Sequence, residues 1–451
     1  MAFTRLGETG MQRAAASTTE HQRTRRNLIR TVGAIPCALI GGSHLGAASP
    51  LPVDLPNRPQ PVPLTYFGLH IHDPDTRWPS FKFGRLRLWD TRTSWMHLQP
   101  ARERWDFTRL DKFVSLALQA GVQPVLPLGL TPTWASARPT ERSPYNVPGA
   151  AAEPADLDDW RHYVRTVALR YKTRIAHYEI WNEVNAGAGF FSGTAERMLE
   201  LQQAAYAELK SVDPAITVIS PSVEGSTEDK FVWFERYMAL MRGRYADVVA
   251  YHFYDPRRPP ESLPGLVRRV RSITERYGAG HLPIWNTESG YRVDWSDSAA
   301  ITGTWATWPN LAPEQAAAWL VRAYLLGWMA GLDGFFWYSY DNKVMGMTPA
   351  SRADGPITRA YGALVRRLAG RTLSDLRIED GIASVLVRGP AGPCRWVWNT
   401  QAGERDWQPP ADWQASVLAP LLGNAVPLRR GNISIAAMPI LLAGTPLAAA
   451  V

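Results

Sequence analysis

Eight short apolar runs of strand type recur between residues 66 and 340, and most are separated by a segment whose apolar residues repeat every three or four positions. The runs are Tyr66–His72, Gly84–Asp90, Val122–Gly129, His177–Glu183, Thr217–Val223, Val248–Tyr254, Leu282–Glu288 and Gly334–Tyr340. The spacing predicts helices over Phe107–Gln119, Asp156–Tyr171, Thr194–Val212, Lys230–Arg242, Glu261–Tyr277, Pro313–Met329 and Pro356–Leu368. Gly121, Gly278 and Gly331 stand just past three of them, where a left-handed cap is expected. The first crossover, Asp73–Phe83, is too short for a good helix. Nearly continuous apolar strands joined by helices require a parallel sheet covered on both faces. Eight such units fit an α/β fold of the (β/α)8 TIM barrel type. An open doubly wound sheet would carry a Gly-rich phosphate loop after its first strand, and Leu69-His70-Ile71-His72-Asp73 is not one.

Beyond Leu368 the pattern changes. Runs at Ala383–Arg388, Cys394–Asn399 and Ile433–Leu442 are broken by Pro and Gly, which predicts a small C-terminal antiparallel β domain packed on the barrel. The expected division is a barrel over 64–370 and a β domain over 371–451, preceded by two further segments. Residues 1–48 read as an export signal: Thr24-Arg25-Arg26-Asn27-Leu28-Ile29-Arg30, an uncharged stretch from Thr31 to Leu45, then small residues. The paired Arg resembles a twin-arginine signal, which implies a secreted or periplasmic protein with no membrane association once the signal is removed. The apolar stretch is short for a membrane span. Residues 49–63 are Pro-rich and read as an extended linker or a strap.

Charge and cysteine content exclude several classes. Of the net charge of +8, the first 50 residues supply +4, from six Arg against Glu8 and Glu20. The remaining excess is mild and lacks long Lys/Arg runs, which argues against nucleic acid as a partner. Cys37 falls in the apolar leader and leaves Cys394 alone, so neither a disulfide nor a Cys-based metal site is expected in the body. The 19 Trp are a surplus that supplies flat faces for a ligand as well as core.

In a barrel of this kind the chemistry sits at the C-terminal ends of the strands. The fourth run ends in Trp181-Asn182-Glu183 and the seventh in Asn286-Thr287-Glu288. A carboxylate at the mouth of a buried strand is costly to keep there without a task. Two such groups on opposite sides of a narrow mouth suit glycoside hydrolysis, which needs one protonated and one ionised carboxyl. Arg87 on the second run is placed to hold the Glu288 carboxyl down. The other candidates that meet substrate are His70 and His72 on the first run, Trp134 after the third, Asn182, Glu224 after the fifth, His252 and Tyr254 on the sixth, and Trp337 on the eighth. Glu179 reads as a structural charge deeper in the fourth strand, and Arg85 as a structural ion-pair partner. Trp295, Trp305 and Trp308 fall in a long segment that reads as a substrate-covering loop.

Trp181-Asn182-Glu183 with Thr287-Glu288-Ser289 resembles the clan of retaining glycoside hydrolases built on (β/α)8 barrels, and Arg87, His252-Phe253-Tyr254 and Trp337 agree with it. The β domain after the barrel looks like family 39 and its relatives, including endo-glycosidases encoded with biofilm exopolysaccharide genes. The resemblance implies Glu183 as acid/base, Glu288 as nucleophile, no metal or organic cofactor, and an oligo- or polysaccharide substrate cleaved internally by a monomer. Two other readings stand beside it. His70-Ile71-His72 has the spacing of a divalent-metal pair in a hydrolase barrel, though the fifth run brings no His to complete it. A non-catalytic carbohydrate-binding barrel would explain the aromatics but not both Glu.

Overall fold

The computed structural model describes residues 55–295, 304–349, 354–429 and 431–444. The export signal, the first part of the Pro-rich segment and the last residues lie outside the described residues.

The barrel sheet contains β1 (Phe67–His70), β2 (Arg85–Arg87), β3 (Gln123–Leu128), β4 (His177–Ile180), β5 (Thr217–Ile219), β6 (Val223–Glu224), β7 (Val249–His252), β8 (Ile284–Ser289) and β9 (Leu332–Trp337). All pair in parallel, in the order β5-β4-β3-β2-β1-β9-β8-β7-β6. The two edges are halves of the fifth apolar run, split at Ser220-Pro221-Ser222 because Pro has no N–H to give to a ladder. A parallel bridge between Ile219 and Val248 carries the ladder across this break and closes the ring.

The helices lie where the apolar spacing put them. After a single turn, α1 (Trp95–Leu98), come α2 (Thr108–Gln119), α3 (Leu157–Arg170), α4 (Ala195–Val212), α5 (Glu228–Met241), α6 (Leu263–Arg276), α7 (Pro313–Met329) and α8 (Pro356–Leu368). In α3 the buried residues are Trp160, Tyr163, Val164, Val167 and Ala168, one stripe at helical period against the sheet. Asp156 starts it by accepting from the Asp158 N–H, and Thr194 caps α4 in the same way through Arg197. Gly121, Gly278 and Gly331 take φ of +70°, +77° and +100°, the left-handed conformation that ends a helix. No helix of the described residues is long and apolar enough to cross a membrane.

Inside the ring an apolar layer of Val125, Ile219, Val248, Ala250, Trp285 and Phe336 forms the floor. Above it lies a polar layer of Arg87, Glu179, His252, Thr287 and His70, all buried.

After the barrel, β10 (Thr372–Glu379), β11 (Ile382–Arg388), β12 (Cys394–Asn399), β14 (Val417–Pro420), β15 (Val426–Pro427) and β17 (Ile440–Ala443) form an antiparallel sheet, and β13 (Arg405–Trp407) pairs with β16 (Ile433–Ile435). The expected run Ile433–Leu442 is therefore two strands in two sheets. β10 gave no apolar run because Leu373 alone in it is fully buried, and β14 is a four-residue strand that ends at Pro420. Arg322 of α7 pairs with buried Glu261 just ahead of α6, and the same carboxylate accepts from Trp398 Nε1 of β12 at 2.9 Å, which ties the two domains together. The described part of the Pro-rich segment is a strap. Arg58 bonds the Leu332 carbonyl at 2.6 Å, pairs with Asp333 and lies 3.7 Å from the Trp328 ring centroid.

Candidate active site

Three local departures from regular strand geometry build the mouth. Trp181 and Glu183 have φ of +75° and +42°, a conformation that side-chain-bearing residues adopt at a cost. The turn at Trp181 breaks the alternation of β4 and sends its indole outward, where Nε1 donates to the Phe190 carbonyl. Asn182 and Glu183 then stay at the mouth, and the Glu183 N–H is held by Ser222 Oγ at 3.1 Å. On β8 the register against β9 shifts between Asn286 and Ser289, so that both Thr287 and Glu288 reach the interior. The strands therefore deliver Glu183 and Glu288 to one point.

An oxygen of Glu183, a ring nitrogen of His252 and an oxygen of Glu288 lie within 4.8 Å of one another. Glu183 Oε1 is 2.8 Å from His252 Nδ1. Glu288 Oε2 accepts from Arg87 Nη1 at 3.0 Å, and its Oε1 accepts from the Tyr254 hydroxyl at 2.9 Å. Burial and the charge of Glu224 push the Glu183 carboxyl up to about 8, against the opposing pull of Arg87 and Lys230. Burial and Glu183 push Glu288 up as well, while Arg87 and Tyr254 favour its charged form. With one proton to share, the pair keeps it on Glu183, because Glu288 has the two donors.

Arg87 is fully buried and makes more contacts than its expected ion pair. Its Nε and Nη2 grip both oxygens of Glu179, at 2.6 and 2.8 Å, and Nη2 also donates to Asn182 Oδ1 at 2.7 Å. That last bond turns the Asn182 amide so that its NH2 is free of the guanidinium. Glu179 is a structural charge with a specific duty: it orients the arginine that serves both Glu288 and Asn182. Arg85, one layer lower, bonds the Thr65 carbonyl and lies over Trp285.

His70 Nε2 lies 2.9 Å from the Thr287 carbonyl, so that nitrogen carries the proton, and Nδ1 is left as a buried acceptor 4.0 Å from Glu288 Oε2. Burial and Arg87 keep the ring neutral. His72 Nε2 and Asp90 Oδ2 are 3.6 Å apart, and each is buried with no hydrogen-bond partner. The Tyr338 ring packs on both histidines. Glu224 stands beside Glu183 and is paired with Lys230.

Two expected substrate contacts are corrected by the structure. Trp337 is on the outward phase of β9 and packs on Tyr291 and Tyr324 in the layer beneath the helices. Phe336 and Tyr338 occupy the inward phase, so the aromatic of this strand that faces the mouth is Tyr338. Alternation read from Phe336 would have found it. Trp134 donates to the Gln99 carbonyl, meets Trp95 edge-on and lies under Arg102, away from the carboxylates. Tyr254 acts on Glu288 directly. In the loop after β8, Trp295 is tied to the Gly346 carbonyl and Trp308 packs on Tyr254, while the Trp305 side chain lies outside the described residues. Glu183, His252 and Glu288 are the one group of three metal-capable side chains found among the described residues, and it contains neither His70 nor His72. The metal-pair reading of His70-Ile71-His72 thus finds no third ligand.

A sequence profile described as "Glycosyl hydrolases family 39" matches residues 82–301, the stretch from β2 through β8 that delivers both carboxylates. Over that stretch the barrel is similar to glycosyl hydrolase family 39. The chain is similar to a beta-xylosidase of Geobacillus stearothermophilus, with 22% identity over 207 residues, 41% of this chain. That match spans only 40% of the relative's length. In three dimensions it is similar to a family 39 glycoside hydrolase of Bacteroides cellulosilyticus WH2, with TM-score 0.65 and 18% identity, covering 84% of this chain and 81% of that one. A monomeric beta-xylosidase of Caulobacter crescentus CB15 gives TM-score 0.59 and 15% identity over 85% of this chain and 96% of its own. At these identities the structural likeness speaks for the fold alone. The structural matches extend over 84–85% of the chain, beyond the stretch that the family profile covers.

Proposed function

We propose that the protein is a retaining glycoside hydrolase in which Glu183 is the acid/base and Glu288 the nucleophile. The observation that carries this reading is the approach of the two carboxyls, with oxygens within 4.8 Å. Retention by double displacement needs a separation of about 5–5.5 Å, and inversion about 6.5–9.5 Å to admit a water. Glu288 attacks the anomeric carbon as Glu183 protonates the departing glycosidic oxygen. Glu183 then takes a proton from the water that releases the sugar from Glu288. The Asn182 NH2, oriented by Arg87, is placed to donate to the sugar beside the reacting carbon. The unpartnered atoms of His70, His72 and Asp90 mark where sugar hydroxyls complete hydrogen bonds.

The finer reading is an endo-acting enzyme on a bacterial exopolysaccharide, exported by a twin-arginine route and working as a monomer. Two aromatic clusters flanking the carboxylates support internal cleavage. Trp89, Tyr145 and Phe190 stand on the β2–β4 side, and Tyr254, Trp308 and Tyr338 on the β7–β9 side. Such paired walls suit sugars on both sides of the cut bond.

The test is a panel of 4-nitrophenyl β-xyloside, β-glucoside, β-galactoside and β-mannoside, with bacterial exopolysaccharides alongside. Anomeric configuration is followed by proton NMR. The expected product keeps the configuration of the substrate, and Glu288→Gln abolishes turnover. Glu183→Ala loses about 10²–10⁴-fold on polysaccharide, and less on aryl glycosides whose leaving group needs no proton. An inverted product, or full activity in Glu288→Gln, rejects the reading.

A further inference from the structure

Below Glu183 a chain of hydrogen bonds runs to the bottom of the polar layer. The Thr287 hydroxyl lies between His252 Nε2, at 3.1 Å, and Glu179 Oε1, at 3.3 Å. It has one proton to give. Glu179 is a fully buried carboxylate paired with Arg87, so it can only accept, and a charged acceptor outcompetes an imidazole nitrogen. The Thr287 proton therefore points at Glu179, and its lone pair faces His252, which requires Nε2 to carry the imidazole proton. Burial and Arg87 keep that ring neutral, so Nδ1 is bare. Nδ1 is 2.8 Å from Glu183 Oε1. Two lone pairs at that distance would repel, so the proton between them belongs to Glu183.

We infer that Glu179, Thr287 and His252 form a positioning relay that sets the His252 tautomer and so assigns the proton of the carboxyl pair to Glu183. The inference rests on the proposed hydrolase and supplies its proton assignment. The relay acts at both steps. Before cleavage, the bare Nδ1 holds the acid form. Once Glu183 has passed its proton to the glycosidic oxygen and the C–O bond has broken, the new carboxylate faces the same lone pair. That repulsion makes Glu183 a stronger base toward the incoming water, whose hydroxyl oxygen bonds the anomeric carbon as the bond to Glu288 breaks.

Other charged groups also face Glu183: Arg87 and Asp90 at β2, Glu224 on β6, Lys230 on α5 and Glu288 on β8. His252 is faced by Arg87, Glu179 and His70. Of these, removing the Thr287 hydroxyl touches only Glu179, which keeps both of its bonds from Arg87, so Thr287→Val is the variant of choice, with Thr287→Ser retaining the hydroxyl.

The primary readout needs no substrate. Long-range proton–nitrogen NMR of protein labelled with ¹⁵N-histidine, with the His252 signals identified by their loss in His252→Asn, should show Nε2 protonated and Nδ1 bare in wild type and in Thr287→Ser. In Thr287→Val the ring is free to turn its proton to Nδ1. The second readout is the pH profile of kcat/KM on the 4-nitrophenyl glycoside hydrolysed fastest in the panel. Thr287→Val should move the alkaline limb down by about one pH unit, a tenfold change in the Glu183 proton equilibrium, and Thr287→Ser should leave it in place. A wild-type spectrum with Nδ1 protonated overturns the relay, and so does a Thr287→Val variant with unchanged tautomer and unchanged limb. The predicted tautomers with no hydrolysis of any sugar would keep the relay and reject the hydrolase.

Discussion

At the scale of single residues, the site is a contest between burial and specific donors. Burial raises every carboxyl at the mouth, and the donors decide which one ionises. Glu288 has Arg87 and Tyr254; Glu183 has a histidine nitrogen and the negative Glu224 beside it. Tyr254→Phe should leave the fold intact and remove one of the two donors to the charged form of Glu288. A hydrogen bond to a charged group contributes about 1.5–3 kcal/mol, so the Glu288 carboxyl should rise by about one unit or more. In the proposed mechanism Glu288 attacks in its ionised form, so the acid limb of the kcat/KM profile moves to higher pH by that amount. An unmoved acid limb would remove Tyr254 from this role. Glu183 and Glu288 were legible from their places at strand ends. Glu179 was legible as a charge, but its grip on Arg87 was not, because strand alternation gives direction without partners.

Among the elements, the strands lay within a few residues of the apolar runs, and the helices began and ended near their caps. The misses have local causes. The fifth run became two strands because Pro221 interrupts the ladder. Trp337 was expected at the mouth and lies under the helices, since the inward phase of β9 belongs to Gly334, Phe336 and Tyr338. The helix expected from Glu261 begins at Leu263 instead, with a 3₁₀ turn over Pro260–Ser262. This leaves Glu261 buried between α7 and β12, paired with Arg322 and bonded by Trp398. Glu261→Ala would leave the Arg322 guanidinium uncompensated at 1% exposure. The expected loss is about 3–5 kcal/mol in urea-induced unfolding. A change below about 1 kcal/mol would mean that this pair does not hold the domains together.

For the whole molecule, the raised Glu183 carboxyl links stability to pH. The folded protein holds this proton up to about pH 8, whereas an unfolded chain releases it near 4.5. Between those values the native state binds more protons than the unfolded one, so its stability falls as pH rises through the window. The effect is absent below the lower value and complete above the upper one, and it amounts to at most about 5 kcal/mol. Glu183→Gln removes the linkage, and its amide N–H can serve the bare His252 Nδ1. The variant should therefore melt above wild type at pH 8 to 9, with the difference shrinking toward pH 4.5 in thermal scans. A difference that did not vary with pH would reject the raised carboxyl.

Sequence alone determined the barrel, the order of its strands and helices, and the two carboxylates that face each other, because strand and helix periods are local properties of the chain. It also showed a change of architecture after Leu368. Only the tertiary structure decided that Trp181 turns out while Asn182 and Glu183 stay in, since a positive φ is set by packing and by the bond that the Glu183 N–H donates to Ser222 Oγ. It alone joined Glu179 to Thr287 across 108 residues and both to Glu183 through His252. A proton's location depends on which lone pairs meet, and that follows from distances between strands far apart in the chain.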